Sequence, residues 1–276
     1  MTENISETEF TIFDTETTGL DPVSGDRIVE IAAARFRDQR KIATFESFVD
    51  SGRPISEAAF RVNRITPEML LGAPSFKEVI PKFLDFIQGS CLCSYNAGFD
   101  LEFLNNELSL LGQPPLGTVV TVDILRMARR LLPGLERYAL WFVAQRLGCE
   151  TQQVHRALAD VELTWEVFNR LTGVLQAKGI REFAHFSQLF SANPDFIENV
   201  TNQKLSQIQE AMNLGVRLKI KYLSSSGVEV TEREVIPREI KQEGGRSYLV
   251  GFCILRNDER TFRVDNMLTL EIISEK

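Results

Sequence analysis

An apolar segment that ends in two acidic residues is the feature that most constrains this chain. Residues 10–14 read FTIFD, and Glu16 follows two positions after Asp14. Because side chains alternate along a strand, Asp14 and Glu16 lie on the same side of it. Two such carboxylates in a presumed core repel each other unless a cation lies between them, and a hard divalent ion fits that need. A solvated strand end is the alternative, and this motif alone leaves both interpretations open.

A second acidic motif, YNAGFD, occupies residues 95–100. It follows an apolar segment with the composition of a buried strand and opens a segment with helical spacing. When this motif is taken alone, the simpler interpretation is that Asp100 is a helix-start residue, which the helix dipole favours.

A third motif, HRALAD, places His155 five positions before Asp160 at the start of another helical pattern. If His155 precedes this helix on a mobile loop, it can face a metal site without being a ligand. The chain holds only two histidines. A lone histidine is more often structural or exposed, and we interpret His185 in that way.

Strand patterns come first in the chain, and helix patterns follow. Residues 10–14, 27–36 and 43–49 predict three strands in an antiparallel meander. Further strands are expected at 90–95 and 119–125. Helices are expected from residue 66 and at 76–88, 99–111, 136–147 and 156–171. This order predicts an α/β fold with a mixed sheet flanked by helices.

The pattern changes after about residue 173. A helical or irregular connector is expected at 174–202, and a helix from residue 203 leads into the alternating segment RLKIKYL. More strand patterns follow, so residues 203–276 predict a small, mostly β domain. The expected parts are therefore residues 1–173, 174–202 and 203–276.

Charge and composition narrow the class of protein. The net charge is −7, and residues 203–276 hold 12 basic and 11 acidic residues, so the negative charge lies in residues 1–202. No apolar run approaches the roughly 18 residues of a membrane span, and the acidic N-terminus does not resemble a signal peptide. We expect a cytoplasmic protein with no membrane partner and with reduced cysteines.

The three motifs together resemble the DEDDh exonucleases, a family that includes the proofreading subunit of bacterial replicative DNA polymerase and relatives that act on RNA. The resemblance covers residues 9–173 and includes VNRITPEML at 62–70 and RYALWFVAQRLG at 137–148. It implies an RNase H-like fold. It also implies 3′→5′ hydrolysis of phosphodiester bonds with two divalent ions, Mg²⁺ or Mn²⁺. The implied metal ligands are Asp14, Glu16, Asp100 and Asp160, with His155 as the general base.

The resemblance also implies contacts with the substrate. Thr17, Thr18 and Leu20 match the segment that holds the terminal nucleotide, and Val62 and Asn63 match a second contact region. Asn96 and Phe99 lie beside the third carboxylate, and Phe99 is an equally good core residue. Tyr95 and Asn63 stand where many relatives have histidine, so the contacts to the base differ from the family pattern.

Residues 204–267 resemble a WYL domain, a small Sm-like β-barrel found attached to bacterial regulators and nucleases. The triplet that defines the family is Ser247-Tyr248-Leu249 here, without its tryptophan, and Asn266 replaces a common basic residue. The resemblance implies ligand or single-strand binding. Candidate nucleic-acid contacts are Arg233, Tyr248, Arg256 and Arg263, together with Arg260 and Phe262. A solvated strand face is the alternative, and the near-zero charge of this domain favours it.

The leading hypothesis is an exonuclease that acts on the 3′ end of a nucleic acid, with a preference for single-stranded DNA and with a C-terminal binding domain. A DNA polymerase or repair machinery is the expected partner. One alternative is an exoribonuclease that trims RNA. Another is a non-catalytic nucleic-acid-binding regulator, against which the presence of all five catalytic positions argues. The sequence predicts no oligomeric state.

Overall fold

The computed structural model describes residues 3–117, 119–149, 155–224 and 229–273. The chain forms two compact units, residues 1–174 and 175–276. None of the helices in these described ranges combines the length and the apolarity that crossing a bilayer requires.

The first unit is built on a five-stranded mixed sheet with the order β3-β2-β1-β4-β5. The antiparallel pairs β1–β2 and β2–β3 form the expected meander, and β4 and β5 run parallel to β1. The strands are β1 (Phe10–Thr17), β2 (Ile28–Arg37), β3 (Arg40–Phe48), β4 (Cys91–Ser94) and β5 (Thr121–Asp123). The predicted mixed sheet is confirmed. Strand β1 continues through Thr17, so both Asp14 and Glu16 lie inside the strand.

Helices flank this sheet and supply most of the remaining core. They are α1 (Glu57–Asn63), α2 (Phe76–Ile87), α3 (Ala97–Leu110), α4 (Ile124–Leu131), α5 (Leu140–Arg146) and α6 (Ala157–Ala177). Seven successive residues of β2, Ile28–Ala34, are buried, because a strand in the middle of a sheet covered on both faces has no solvent side. Phe13 and Phe83 belong to the core cluster on one face. The core therefore lies directly under the strand that carries Asp14.

Some elements differ from the sequence-based expectation. The helix expected from residue 66 is a single 3₁₀ turn, Pro67–Leu70, and it is preceded by α1, which was not predicted. The helix expected at 136–147 is only Leu140–Arg146, and α4 was not predicted. Helix α4 follows β5 without an intervening loop, because Asp123 ends the strand and accepts a hydrogen bond from Arg126 N as the N-cap.

The second unit combines two helices with an antiparallel sheet. The helices are α7 (Phe183–Phe190) and α8 (Pro194–Leu214). The strands are β6 (Arg217–Leu223), β7 (Val230–Glu243), β8 (Arg246–Cys253), β9 (Asp258–Arg263) and β10 (Met267–Ile273), in the order β10-β6-β7-β8-β9. Within the described ranges no pairing joins β9 to β10. The mostly β character is confirmed, and closure into an Sm-like barrel stays a prediction.

Helix α8 begins at Pro194 and not at residue 203 as expected. Asn193 accepts a hydrogen bond from Phe196 N, and Pro194 occupies the first turn. The helix ends at Gly215, whose φ of 65° is the left-handed conformation common after a helix. The pair Asn193-Pro194 is therefore a helix start.

Candidate active site

Strand β1 carries the first two acidic residues into the centre of the sheet. It lies between β2 and β4, and Glu16 pairs in register with Glu30 on β2. Ligand atoms of Asp14, Glu16 and Asp160 all lie within 4.8 Å of one another. The structure thus brings together three of the four carboxylates predicted to bind metal, from β1 and from α6, which begins 141 positions after Glu16 in the sequence.

The fourth carboxylate, Asp100, is buried on α3 beside the same strand. Its Oδ1 accepts hydrogen bonds from Thr15 N at 3.0 Å and Thr15 Oγ1 at 2.7 Å, and its Oδ2 accepts one from Ser94 Oγ at 2.6 Å. These partners lie on β1 and at the end of β4, so Asp100 is tied to the sheet. The negative charge of Asp100 is one of the causes that raise the pKa of Asp14.

His155 lies at the start of α6, with its imidazole 45% exposed. Its Nδ1 lies 3.9 Å from Asp160 Oδ2. Its backbone adopts φ 51°, in the left-handed region that few residues other than glycine occupy. The structure therefore places the histidine beside the carboxylate group.

Burial and mutual repulsion disfavour the charged forms of these carboxylates. Burial raises the pKa of Glu16 to about 8, and the charges of Asp160, Glu30 and Asp100 add to the effect. Burial, followed by the charge of Asp100, also raises the pKa of Asp14 well above its ordinary value.

The pKa of Asp100 is raised less than that of Glu16, because Asp100 accepts hydrogen bonds that stabilise its charged form. Burial raises its pKa to about 6, and the hydrogen bonds from Ser94 and Thr15 act in the opposite direction. Carboxylates that are partly or fully buried and have raised pKa values are destabilised as anions, and a divalent cation with oxygen ligands removes that destabilisation. The residues present therefore fit a hard divalent metal ion.

Two charged residues at the site were not recognised in the sequence, in addition to Thr15 and Ser94. Glu30 is fully buried on β2, and its carboxylate accepts hydrogen bonds from Arg156, the residue after His155. The signal that could have found it is a single charged residue inside the otherwise apolar run Ile28–Ala34. Arg156 carried no signal, because an arginine at the start of a helix pattern is common on protein surfaces.

Most predicted substrate-contact residues surround the motif on β1. The Thr17 and Thr18 side chains are buried and bonded to Gly19 O and to Asp26 Oδ1. By contrast, Leu20 is 82% exposed.

On α1, Val62 is half-exposed, whereas Asn63 is buried. Asn63 Nδ2 donates to Thr17 O at 3.2 Å, and its Oδ1 accepts from Ile65 N at 3.1 Å. Asn96 is exposed with φ 68°, and Phe99 is half-buried against Phe103.

In the second unit, some of the predicted contacts line a cavity of about 270 Å³. The lining residues are Tyr222, Ser224, Arg233, Cys253, Arg256, Arg260, Thr261 and Phe262. Tyr248 and Arg263 do not line it, and Arg263 forms an ion pair with Asp265. Tyr222, which packs edge-on against the Phe262 ring, was not predicted.

Comparison with known proteins agrees with this architecture. The exonuclease family model matches residues 11–168, and the WYL domain model matches residues 203–272. DNA polymerase III subunit epsilon of Treponema pallidum (strain Nichols) is 42% identical over 164 residues, which are 59% of this chain and 75% of that protein.

Two further proteins illustrate the range of the likeness. The PolC-type DNA polymerase III of Caldanaerobacter subterraneus subsp. tengcongensis is 35% identical over 183 residues, 66% of this chain, and the match spans only 13% of that polymerase. The nuclease domain of 3′hExo, a DEDDh family member solved with rAMP, has a TM-score of 0.55 at 18% identity. The match covers 62% of this chain and 94% of that one, so it supports the fold.

The first unit thus combines an RNase H-like sheet, the carboxylates and histidine of the DEDDh pattern, and a family match over more than half of the chain. The second unit contains the segment that matches a WYL domain. The chain therefore belongs to the exonuclease family, as a DEDDh-type domain followed by a WYL domain.

Proposed function

We propose that this chain is a metal-dependent 3′→5′ exonuclease that removes nucleotides from the 3′ end of single-stranded DNA as 5′-monophosphates. The observation that carries the proposal is the group of Asp14, Glu16 and Asp160, with ligand atoms within 4.8 Å of one another beside a half-exposed histidine. Carboxylates at this spacing are stable together as anions only with a cation among them.

Two divalent ions, Mg²⁺ or Mn²⁺, are the proposed cofactors. Asp14, Glu16, Asp100 and Asp160 would hold them, because carboxylate oxygens are the ligands that these ions prefer. When bound, such ions supply activation of the attacking water and stabilisation of the leaving 3′-oxygen.

The protein's own residues have distinct proposed roles around this centre. His155 accepts the proton of the attacking water, a role that suits a solvent-accessible imidazole held 3.9 Å from Asp160. Thr15 and Ser94 fix the orientation of Asp100 through their hydrogen bonds.

The proposed contacts with the terminal nucleotide divide into exposed and buried groups. Leu20 and Val62 are exposed apolar side chains, and we propose that they contact the base and sugar. Thr17, Thr18 and Asn63 are buried and internally bonded, so we propose that they act by shaping the backbone next to Glu16. Asn96 and Phe99 are proposed to contact the strand beside Asp100.

The preference for DNA is supported by the names of the relatives. Proteins named as DNA polymerase III subunits are about 40% identical over the first unit, whereas the rAMP-bound neighbour is 18% identical and indicates the fold alone. An RNA-trimming exoribonuclease is the alternative.

Because relatives are named as subunits of DNA polymerase III, we propose that polymerase as the partner, with repair machinery as a second candidate. The proposed location is the cytoplasm.

The central test is hydrolysis of a 5′-labelled single-stranded DNA in the presence of Mg²⁺. The wild-type chain is expected to shorten the strand one nucleotide at a time, while Asp14→Ala and Asp160→Ala fall to the rate without enzyme. Asp85→Ala, at an exposed position on α2, is the matched control and should stay active. Equal inactivity of the wild type and the two site variants would contradict the proposal.

A parallel digestion of RNA with the same sequence separates the DNA exonuclease from the exoribonuclease. Faster loss of RNA than of DNA would favour the exoribonuclease.

For the WYL domain, we propose binding of a nucleic acid in the cavity lined by Arg233, Arg256 and Arg260. Three guanidinium groups beside Tyr222 and Phe262 match the phosphate and base groups of a single strand. Arg263 is a weaker candidate because it pairs with Asp265 and does not line the cavity, whereas Arg260 also pairs with an acidic residue, Asp258, but lines the cavity. Tyr248 lies outside the cavity lining.

A charge-reversing variant of the full chain tests this role. Arg256→Glu is expected to weaken binding of a long single strand, measured by fluorescence anisotropy with Asp14→Ala as the background that prevents cleavage. Arg246→Glu is the matched control, because Arg246 is exposed on β8 and does not line the cavity. Equal binding by the two variants would favour a solvated strand face.

A further inference from the structure

A buried carboxylate lies next to the proposed metal centre but is already fully engaged. Glu30 has no exposed surface and stands directly opposite Glu16 in the pairing of β1 with β2. Arg156 Nη2 lies 2.7 Å from Glu30 Oε1, and Arg156 Nε lies 3.2 Å from both oxygens. Ala157 N donates to Oε2 at 3.2 Å. Because its oxygens accept these bonds, Glu30 is occupied by protein donors and is not a metal ligand in this arrangement.

The groups that Glu30 binds are those that follow His155 in the chain. Arg156 and Ala157 are the next two residues, so the bonds fix the backbone on the C-terminal side of the histidine. The Arg156 guanidinium also lies 5.1 Å from the centre of the Phe48 ring on β3, so its plane is held by contacts from two strands.

The backbone of His155 itself needs such support. Its φ of 51° is a sparsely populated conformation, and such conformations persist only where the surrounding structure determines them. The imidazole is nearly half exposed and is therefore not held by burial.

We propose that Glu30 is a positioning residue, which sets the place of His155 relative to the carboxylate group through its bonds to Arg156 and to Ala157 N. The proposal rests on the function proposed above for His155 as the proton acceptor. Glu30 acts on the backbone of the α6 start, and the reacting groups remain His155 and the carboxylates. A loss of Glu30 would therefore leave substrate binding in place and displace the base.

The chain contains a second buried ion pair that serves as a matched control. Arg27 Nε and Nη2 donate to Glu107 at 2.7 and 2.6 Å, and Ile28 N donates to Glu107 Oε1 at 3.2 Å. Glu107, like Glu30, is almost fully buried and binds an arginine together with the next backbone N–H. No histidine is adjacent to Arg27. Glu107→Gln thus reproduces the loss of a buried ion pair without touching the start of α6.

The experiment compares Glu30→Gln with Glu107→Gln in the full chain by imidazole NMR and by kinetics. His155 and His185 are the only histidines, so a His185→Gln reference spectrum assigns both signals. Both variants are expected to lose thermal stability to a similar degree. Only Glu30→Gln should move the His155 signal while that of His185 stays in place. Only Glu30→Gln should lower kcat, by roughly 10-fold with KM nearly unchanged, which is less than the roughly 100-fold or more that a general base contributes.

An unmoved His155 signal in Glu30→Gln, or an equal drop of kcat in Glu107→Gln, would overturn the proposal. If Glu30→Gln does not fold, Arg156→Lys decides instead, because lysine keeps a cation beside the buried Glu30 but cannot donate through two nitrogens as arginine does. This variant should also move the His155 signal. An unchanged His155 signal together with a wild-type kcat would contradict the proposal. If the wild type proves inactive, the proposed function fails, while the NMR comparison still reports whether Glu30 positions His155.

Discussion

At the scale of single residues, the site is defined by anions that are unstable without a cation. Glu16 lies opposite Glu30 and within reach of Asp14 and Asp160. Burial is the largest cause of its raised pKa, and the charges of its neighbours come next. Because crowding of these carboxylates disfavours their ionisation and favours the binding of a divalent ion, protonation and metal binding compete.

This competition predicts how stability depends on pH. A carboxyl group whose folded pKa is raised stabilises the fold below its unfolded pKa, and that contribution is lost as the pH rises through the folded pKa. For Glu16 the window runs from the ordinary value of 4.5 to about 8. With EDTA, the Tm should therefore fall as the pH rises from 5.5 to 8.5, and Mg²⁺ should oppose the fall most at the high end.

Thermal scans of the wild type and Glu16→Gln, each with EDTA and with Mg²⁺, check this prediction. The variant should lose part of the pH dependence, because Gln cannot ionise. An identical pH dependence in the wild type and Glu16→Gln would show that another group is responsible.

A second prediction concerns the groups that hold Asp100. Ser94 Oγ donates to Asp100 Oδ2, and this bond lowers the pKa that burial raises. Ser94→Ala should therefore raise the Mg²⁺ concentration for half-maximal activity, by roughly 10- to 100-fold, the range typical of groups that orient metal ligands. The effect should be greater at pH 6.5 than at pH 8.5, because more of Asp100 is then protonated. Ser90→Ala removes a hydroxyl bonded to Thr11 and Ile87 O, and should leave the Mg²⁺ requirement unchanged.

At the scale of elements, Asn63 connects α1 to the acidic strand. It is buried, and its side chain bonds Thr17 O and Ile65 N and also lowers the pKa of Glu16 by hydrogen bonding. Asn63→Ala leaves buried groups without partners, so it should lower the free energy of unfolding by about 1–3 kcal/mol. Urea denaturation measures this. Asn213→Ala, at an exposed position of α8, should change it by less than about 0.5 kcal/mol, and a similar loss there would contradict the explanation.

The elements that the sequence predicted are those with a strong apolar period. Strands β1 and β2 and helices α3 and α6 have such patterns, and all four are present near their expected positions. Helix α4 was missed because Asp123 both ends a strand and caps the helix, so no turn residues separate them. The start of α8 was missed because Asn193-Pro194 is read as a loop unless its capping role is recognised.

The part of the site that the sequence predicts is the set of acidic residues and the histidine, because their residue types, order and spacing form motifs. Asp14, Glu16 and Asp160 stand in motifs, and the structure brings them together. Thr15 was not predicted, because its contact with Asp100 depends on tertiary packing that no local pattern encodes. Glu30 was missed although a charged residue inside an apolar run marks it, and only the structure shows its contact with Arg156. The predicted contact of Thr17 and Thr18 with the terminal nucleotide stays a prediction, and the hydroxyls of both residues form hydrogen bonds within the protein.

At the scale of the whole molecule, the negative charge lies in the unit with the carboxylates, and the second unit is nearly neutral. Nucleic-acid binding by such a chain depends on local groups of cations. If Arg256 contacts a phosphate, Arg256→Ala should reduce the slope of log Kobs against log salt by about 0.7, the contribution of one phosphate contact on a single strand. Titrations of Asp14→Ala and Asp14→Ala/Arg256→Ala at several salt concentrations give the slope. An unchanged slope would place the strand elsewhere.

The carboxylate group also constrains when activity can arise during synthesis. Asp14 belongs to the first strand of the sheet, whereas Asp160 belongs to α6, and the two join in one group. A ribosome-bound chain that ends before α6 lacks both His155 and Asp160, although its first strands are already made. Domains generally fold as units as they emerge. A truncated or unfinished product would therefore carry Asp14 and Glu16 without Asp160 or His155, and the proposed activity would not arise until nearly the whole first unit had been translated.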